Sequence, residues 1–393
     1  MKYLFRRDTF FATIAVFIFM GLIALLPLNL GVFNPFKEAL KDFDFNDVAY
    51  ASSLNKDKDT ALDNRIVIVN IGHLNRMQIA DVLETVNAGN PKVIAVDIMF
   101  DGEKDPMSDG YLLQQLKTIP NLVLAARIDW SPKNDFLQQG VFKDQNINLG
   151  YVNFVGTEKG TIREFSPVEN ENGQHHLSFA ASIVKIADSA AYQRLIKRKK
   201  TVENIHYTRS PNRYLPIDGE QLLAGSVADN VFNNKIVLLG YISNSPYDIE
   251  DKYLTPMNEK FAGKTLPDMN GVMIHANIIT MILDGSYVKK VPSWITWTLA
   301  IILTWLHISL FIDYYIDNHI WFHLVAKIAQ LVSAIFFVYL GLFLFNRFTV
   351  KLDMSVTVLA IILAIDVLYF YEAFTQWMHK KFNYKTIFHT NSH

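Results

Sequence analysis

The chain has 393 residues, half of them apolar, a formal net charge of −1 and a mean hydropathy of +0.14. So even a charge balance excludes nucleic acid as the main partner, because binding phosphate needs a basic excess. Cysteine is absent, which removes disulfides, thiolate metal ligands and cysteine nucleophiles together. The aromatic load of 28 Phe, 17 Tyr and 6 Trp, joined to the positive hydropathy, points instead to a membrane protein.

Met1 to Asp8 carries Lys2, Arg6 and Arg7, and the uncharged apolar run Phe10 to Leu28 follows. That run is long enough to cross about 30 Å of hydrocarbon at ~1.5 Å per residue. It exceeds a typical signal-peptide core and no Ala-x-Ala site follows it, so an uncleaved anchor with a cytoplasmic basic tip is expected. Residues 31–290 have soluble composition and predict one extracytoplasmic domain. Three more membrane-length runs come after it, about Trp294 to Ile312, Ile320 to Phe345 and Met354 to Phe374.

The expected division is 1–30 (tip and first helix), 31–290 (outer domain), 291–375 (three helices) and 376–393 (short cytoplasmic tail). Four crossings put both termini in the cytoplasm of a bacterial inner membrane, with a short inner loop at Asp313 to His319. Lys380, Lys381 and Lys385 agree with the positive-inside rule, whereas Arg347 and Lys351 fall in the outer loop against it.

Within the outer region, Arg65 to Ile71, Pro91 to Asp97, Asn121 to Ile128 and Lys235 to Leu239 read as buried strands. Met77 to Ala88, Asp109 to Lys117, Leu177 to Asp188 and Asp218 to Leu223 read as helices. Strands apolar throughout and alternating with helices predict an α/β fold with a mixed, largely parallel sheet covered on both faces. Leu149 to Phe154 and Thr161 to Val168 suggest a hairpin, with Gly156 and Gly160 near its turn. The basic run Arg194 to Lys200 reads as a solvated helix end, the alternative being contact with anionic lipid or an acidic partner.

Several blocks in this order resemble the CHASE2 domain, an extracytoplasmic sensor module of bacterial transmembrane receptors. Lys92 to Phe100 (KVIAVDIMF) is similar to that family's second-strand block, and Gly150-Tyr151-Val152-Asn153 with Gly160-Thr161-Ile162-Arg163 to its central one. Lys235 to Gly240, Asp251, Thr255-Pro256 and Gly271 to Asn277 (GVMIHAN) are similar to its closing block. Asp42 to Ser52 sits where the family has a membrane-proximal strand. The resemblance covers about residues 40–375 and implies a sensor domain followed by three membrane helices. Two departures stand out. Gly72-His73-Leu74-Asn75-Arg76 replaces the family's usual acidic and Trp-Pro segment. Fewer than about 20 residues follow the last helix, too few to fold as the catalytic output domain that such receptors carry.

The candidate ligand-binding residues are Asp97, Arg163, Asp251, Thr255, His275 and Asn277. Asp97 ends a parallel strand, where α/β sheets place ligand groups, or it braces a loop. His275 and Asn277 open a helix whose free N–H groups suit an anion; alternatively Asn277 caps it and His275 fills a gap beneath the Thr255-Pro256 loop. Asp248, Glu250 and Asp251 cluster without calcium-loop spacing, and His175-His176 stands in a polar turn without further ligands. No metal site or cofactor is expected. No Gly-x-Ser-x-Gly, His-Glu-x-x-His or Gly-Lys-Ser/Thr motif points to an enzyme.

Inside the membrane runs, His307, Lys327 and Asp366 fall about 9 to 15 Å from the cytoplasmic boundary at ~1.5 Å per residue. Ionisable groups at that depth are expected to pair facing the bundle, with His307 near a Lys327–Asp366 pair. The rival reading has Lys327 snorkelling to the interface, and a third has Asp366 covered by a partner's helix. Two functions follow. One is a non-catalytic sensor subunit that binds a small molecule or envelope component and acts through a partner membrane protein. The other is a docking subunit of an envelope complex without a small ligand.

Overall fold

The structure is a computed structural model that describes residues 2–25, 44–54, 62–131, 136–142, 147–156, 160–243, 245, 247–259, 266–317 and 321–388. The chain divides into two compact units, residues 41–288 and residues 1–40 with 289–393. The expected start of the outer domain near Gly31 and the end of the tail lie outside the described residues.

Helix α1 (Arg7–Leu25) opens the second unit, and α2 (Phe45–Leu54) begins the first. Then follow β1 (Ile66–Asn70), α3 (Arg76–Ala88), β2 (Val93–Val96), α4 (Pro106–Thr118) and β3 (Leu122–Ile128). Next come β4 (Leu137–Gln138), β5 (Leu149–Tyr151), β6 (Val168–Glu171), β7 (Gln174–Leu177), α5 (Phe179–Ala187) and α6 (Ser189–Lys197). The unit closes with β8 (Leu215–Asp218), α7 (Gly219–Leu223), β9 (Ile236–Gly240) and α8 (Gly271–Asp284).

The main sheet runs β8-β1-β9-β2-β3, all parallel, with β5 parallel and β4 antiparallel against β3. The expected α/β sheet is therefore what forms, because the apolar runs of β1, β2 and β9 are buried on both faces. On one face Val67, Val69, Ile94, Val96, Val237 and Leu239 form a core with Leu83 and Val86 of α3 and Leu112 and Leu116 of α4. α5 and α8 cover the other. Gly150 leaves room for the backbone of Phe179, and Gly240 for Val272. Helix α3 starts at a capping box made by Asn75 and Gln78. The short loop Gly72 to Asn75 thus enters the helix directly.

Three expectations change. Where the sequence reading put a membrane-proximal strand, α2 forms: Asp44 accepts the Asn46 N–H at 2.9 Å and starts a turn, and Ala49, Tyr50 and Ala51 are buried. The hairpin expected at Leu149 to Val168 is reduced to one antiparallel bridge, Val155 to Glu164, since β5 joins the main sheet beside β3. The local hairpin is β6–β7 instead, turning at Asn172 and Gly173, both at positive φ. His175 and His176 accordingly lie on a strand, not in a turn. At the basic run, Arg198 pairs with Glu203 and Arg194 donates to Leu283 O at 3.2 Å.

Helix α8 is apolar on every side and buried from Gly271 through Ile282, the pattern of a core helix. Gly285, in the left-handed conformation, ends it.

In the second unit, α9 (Ser293–Asp317), α10 (Phe322–Phe348) and α11 (Ser355–Phe382) join α1. All four are long and apolar enough to cross a membrane, so the chain is a membrane protein. Ala12 and Val16, Ile308, Phe311 and Ile312, and Ala360, Ala364 and Ile365 form the shared core of α1, α9 and α11. α10 attaches to α11 through Gln330 Nε2, which donates to Ile361 O at 2.7 Å and Ile362 O at 3.0 Å.

At one end of this bundle Asp8 accepts from Tyr371 Oη at 2.9 Å and from the Ile387 N–H at 3.0 Å. At the other, Lys289–Lys290 pairs in parallel with Val350–Lys351. α11 continues to Phe382, past the expected end at Phe374. α9 reaches Asp317, so most of the expected Asp313 to His319 loop is helical, its last two residues lying outside the described set.

Candidate functional site

The sheet's carboxyl edge carries the site. β2 hands over to Asp97, whose N–H donates to Leu239 O at 2.8 Å, so its side chain stands at the strand ends where parallel sheets collect ligand groups. Asn70 closes β1, and its Oδ1 accepts the N–H groups of Gly72 at 3.1 Å and Ile242 at 2.9 Å. These ties hold back two loops and leave a cavity of about 470 Å³. Asp97, Arg127, Phe154, Tyr241, Glu250, Asp251, Tyr253, Gly271 and His275 are among its lining residues.

Asp251 takes φ +49° and sets its carboxylate beside the first residue of α8, where the helix dipole favours negative charge. A Cβ on Gly271 would stand 2.9 Å from Asp251 Oδ2, so the carboxylate occupies the space that a side chain there would enter. Behind it His275 is 4 % exposed and stacks on Phe154, centroids 4.8 Å apart at 25°. Phe179 meets its ring edge-on at 5.2 Å. His275 Nδ1 is buried and has no hydrogen-bond partner among the described residues.

Burial first, then the Asp251 charge, pushes the Asp97 carboxyl up to about 8, against a lowering pull from Arg127. Burial likewise raises Asp251 to about 6, against hydrogen bonds from Gly271 and Tyr253. Burial drives His275 down to about 3, so this imidazole is neutral. A carboxyl raised in the folded state keeps a proton that the unfolded chain, near pH 4, has already released. Its contribution to stability is therefore present at low pH and is lost as pH rises toward 8. Asp97→Asn is expected to remove much of that slope and to stabilise the chain at pH 8 by on the order of 1–2 kcal/mol. Thermal unfolding from pH 5 to pH 8.5 measures it; parallel curves for variant and wild type defeat the expectation.

Asp97, Asp251 and His275 of the six candidates line this cavity; Arg163, Thr255 and Asn277 do not. Arg163 is paired with Asp47 of α2 at 2.6 Å. Thr255 is fully buried, and Asp268 accepts both its N–H at 2.8 Å and its hydroxyl at 2.5 Å. Asn277 does not cap α8: it accepts from Arg209 N–H at 3.1 Å and donates to Arg209 O at 3.0 Å. It straps the chain at Arg209 to the helix. Asp248 is held by Tyr241 Oη at 2.5 Å, which lowers its carboxyl to about 2. Among the described residues no group of three or more His, Asp or Glu is placed to hold a metal ion. Arg127 and Tyr253 were not among the sequence candidates. The signal for Arg127 was a single charge inside the apolar run Leu122 to Ile128.

In the membrane unit, Lys327 Nζ lies 3.0 Å from both carboxylate oxygens of Asp366. The pair forms, but each side chain is 50 % exposed, so it stands on the outside of the four helices and does not face their core. His307 takes no part, since its Nε2 meets Ser333 Oγ at 3.0 Å. Lys327→Leu and Asp366→Leu are each expected to cost about 1–3 kcal/mol, and the double variant to regain most of that. Unfolding of the bundle in mixed detergent micelles tests the cycle; single variants that match wild type sink it.

An α/β unit with a charged cavity at its strand ends, in a chain with four membrane-length helices, defines a membrane sensor-like protein. The chain belongs to the CHASE2 domain family, whose model matches residues 56–312. These are extracytoplasmic sensor domains. No curated protein and no solved structure matches the chain.

Proposed function

We propose that this protein is a non-catalytic sensor subunit of a bacterial inner membrane. Its α/β unit lies outside, its termini lie in the cytoplasm, and a small ligand enters the cavity at Asp97, Asp251 and His275. The observation that carries this reading is the cavity itself. It opens at the carboxyl edge of the sheet, has the size of a small-molecule site and is lined by Asp97, Arg127, Glu250 and Asp251. Among the described residues no hydrogen bond or ion pair is found for the Asp97 carboxylate or the Arg127 guanidinium. The ligand effect would pass along α8, through Gly285 to Pro292, into α9.

The receiving element is a partner membrane protein. The half-exposed Lys327–Asp366 pair supports this, because an ion pair facing lipid is costly and one facing another helix less so.

The test is thermal unfolding of the full chain in detergent, with and without the low-molecular-weight filtrate of a cell lysate. A ligand at ~100 times its Kd adds about 2.7 kcal/mol, a rise of several degrees for a unit this size. Val152→Trp, which fills the cavity wall, is expected to abolish the rise. No rise with wild type, or an equal rise with the variant, overturns the reading.

A further inference from the structure

We propose that the cavity takes a small zwitterion with an amino-acid-like head, its ammonium between Asp97 and Asp251 and its anionic group on Arg127. The inference rests on the sensor reading above and names the ligand class for that site. The Asp251 charge disfavours ionisation of Asp97, which lines the same cavity, an opposition that a cation placed between the two carboxyls relieves. Glu250 lines the cavity too, but among the described residues the acids are not grouped as metal ligands, and the Asp97–Asp251 pair suits an organic ammonium, which asks for a few acceptors, better than a hard metal ion, which asks for six or more oxygens.

Arg127 stands on the same wall, exposed, with no ion-pair partner among the described residues. Its charge acts on Asp97 and Asp251 without an ion pair to either, and a guanidinium with open N–H groups takes a carboxylate in a two-pronged bond. Independent of these charges, the buried His275 lines the cavity with an unpartnered Nδ1, a polar group that awaits a partner. Phe154, in contact with Tyr253 at 5.2 Å and with His275, supplies an aromatic wall for the remainder of the ligand. The cavity of about 470 Å³ holds a molecule from amino-acid to dipeptide size.

Because Asp97 is protonated at neutral pH in the empty site, an ammonium that docks there displaces that proton. His275 is neutral, and Arg127, Glu250, Tyr241 and Tyr253 face the same space. Binding is therefore accompanied by proton release.

The experiment is calorimetric titration of the full chain in detergent with the common α-amino acids and a set of dipeptides. Each binder is then compared with its decarboxylated amine and its N-acetylated form. The expected result is saturable binding of at least one zwitterion, weakened about tenfold or more by loss of either head group. Asp97→Asn and Arg127→Gln are expected to weaken it similarly, and heats measured in two buffers at pH 7 to reveal the released proton. Equal binding of the amine and the zwitterion overturns the role given to Arg127 and with it the proposal. Absence of any zwitterion binding overturns it too; if the lysate filtrate still stabilises wild type and not Val152→Trp, the sensor reading survives that failure.

Discussion

Replacing Arg163 with Met is expected to lower the stability of the α/β unit by about 3–5 kcal/mol, because it removes the two-pronged cationic partner of a buried carboxylate. Asp47 shows 1 % of its side chain to solvent, and Arg163 holds it through Nη2 at 2.6 Å and Nε at 3.1 Å. That two-pronged geometry is the strong form of a charge-assisted bond. It also joins distant parts of the chain. Asp47 sits on α2, while the Arg163 carbonyl accepts from Ile205 N–H at 2.8 Å and the Tyr50 hydroxyl donates to Ile205 O at 3.2 Å. Removing the guanidinium therefore loosens α2 from the body it packs on.

In a unit of this size the loss reads as a fall in Tm of about 6–20 °C. The double variant Arg163→Met with Asp47→Asn is expected to recover part of it, since the charge that Arg163 balanced is then removed as well. Thermal unfolding of both variants in detergent measures this. A single variant within about 2 °C of wild type, or a double variant no better than the single, contradicts the account.

Arg163 shows why a motif match located the residue and misjudged its work. An arginine near a glycine-rich turn looks the same in sequence whether it meets a ligand or Asp47, which lies far away in the chain. Thr255 and Asn277 share this fate, because Asp268 and the Arg209 backbone become their partners only in three dimensions. Asp97 was legible for a sound reason: a lone carboxylate at the end of an apolar strand has a fixed address at the sheet's edge. The strands themselves were legible because burial on both faces leaves continuous apolar runs.

The fuller hairpin lies later in the chain than expected, although its signal was present. Asn172-Gly173 is the pair that a two-residue turn at positive φ requires, but the glycines at 156 and 160 drew the assignment away. Helix α2 was hidden because its short sequence, FNDVAYASSL, has no strong period. In the membrane unit, spacing along the helices gave the depth of Lys327 and Asp366, and depth alone suggested their pairing. Which side of the bundle they face depends on the rotation of α10 and α11, which their apolar surfaces leave unmarked.

Gly150→Ala is the second large effect expected, about 3 kcal/mol or more of lost stability. A Cβ at this position would stand 2.6 Å from Phe179 Cα and 3.1 Å from Phe179 N. Both are backbone atoms at the start of α5, so no rotamer change relieves the contact. The helix cannot lift off cheaply either, since Phe179 to Val184 are all buried, and a close-packed interior transmits the displacement. Gly271→Ala makes the informative contrast. Its added Cβ meets only the Asp251 carboxylate, at 2.9–3.3 Å, and a side chain can swing aside. The expected outcome there is a small stability change of under about 1 kcal/mol, with the Asp251 carboxylate moved out of the cavity. The pair separates two uses of glycine in two family blocks. One glycine lets a helix seat on the sheet, and the other lets an acid stand at a helix start beside the site. Thermal unfolding of the two variants side by side decides it. Equal losses for both contradict the distinction, whereas a folded Gly271→Ala chain that no longer answers to the lysate filtrate ties Asp251 to ligand binding.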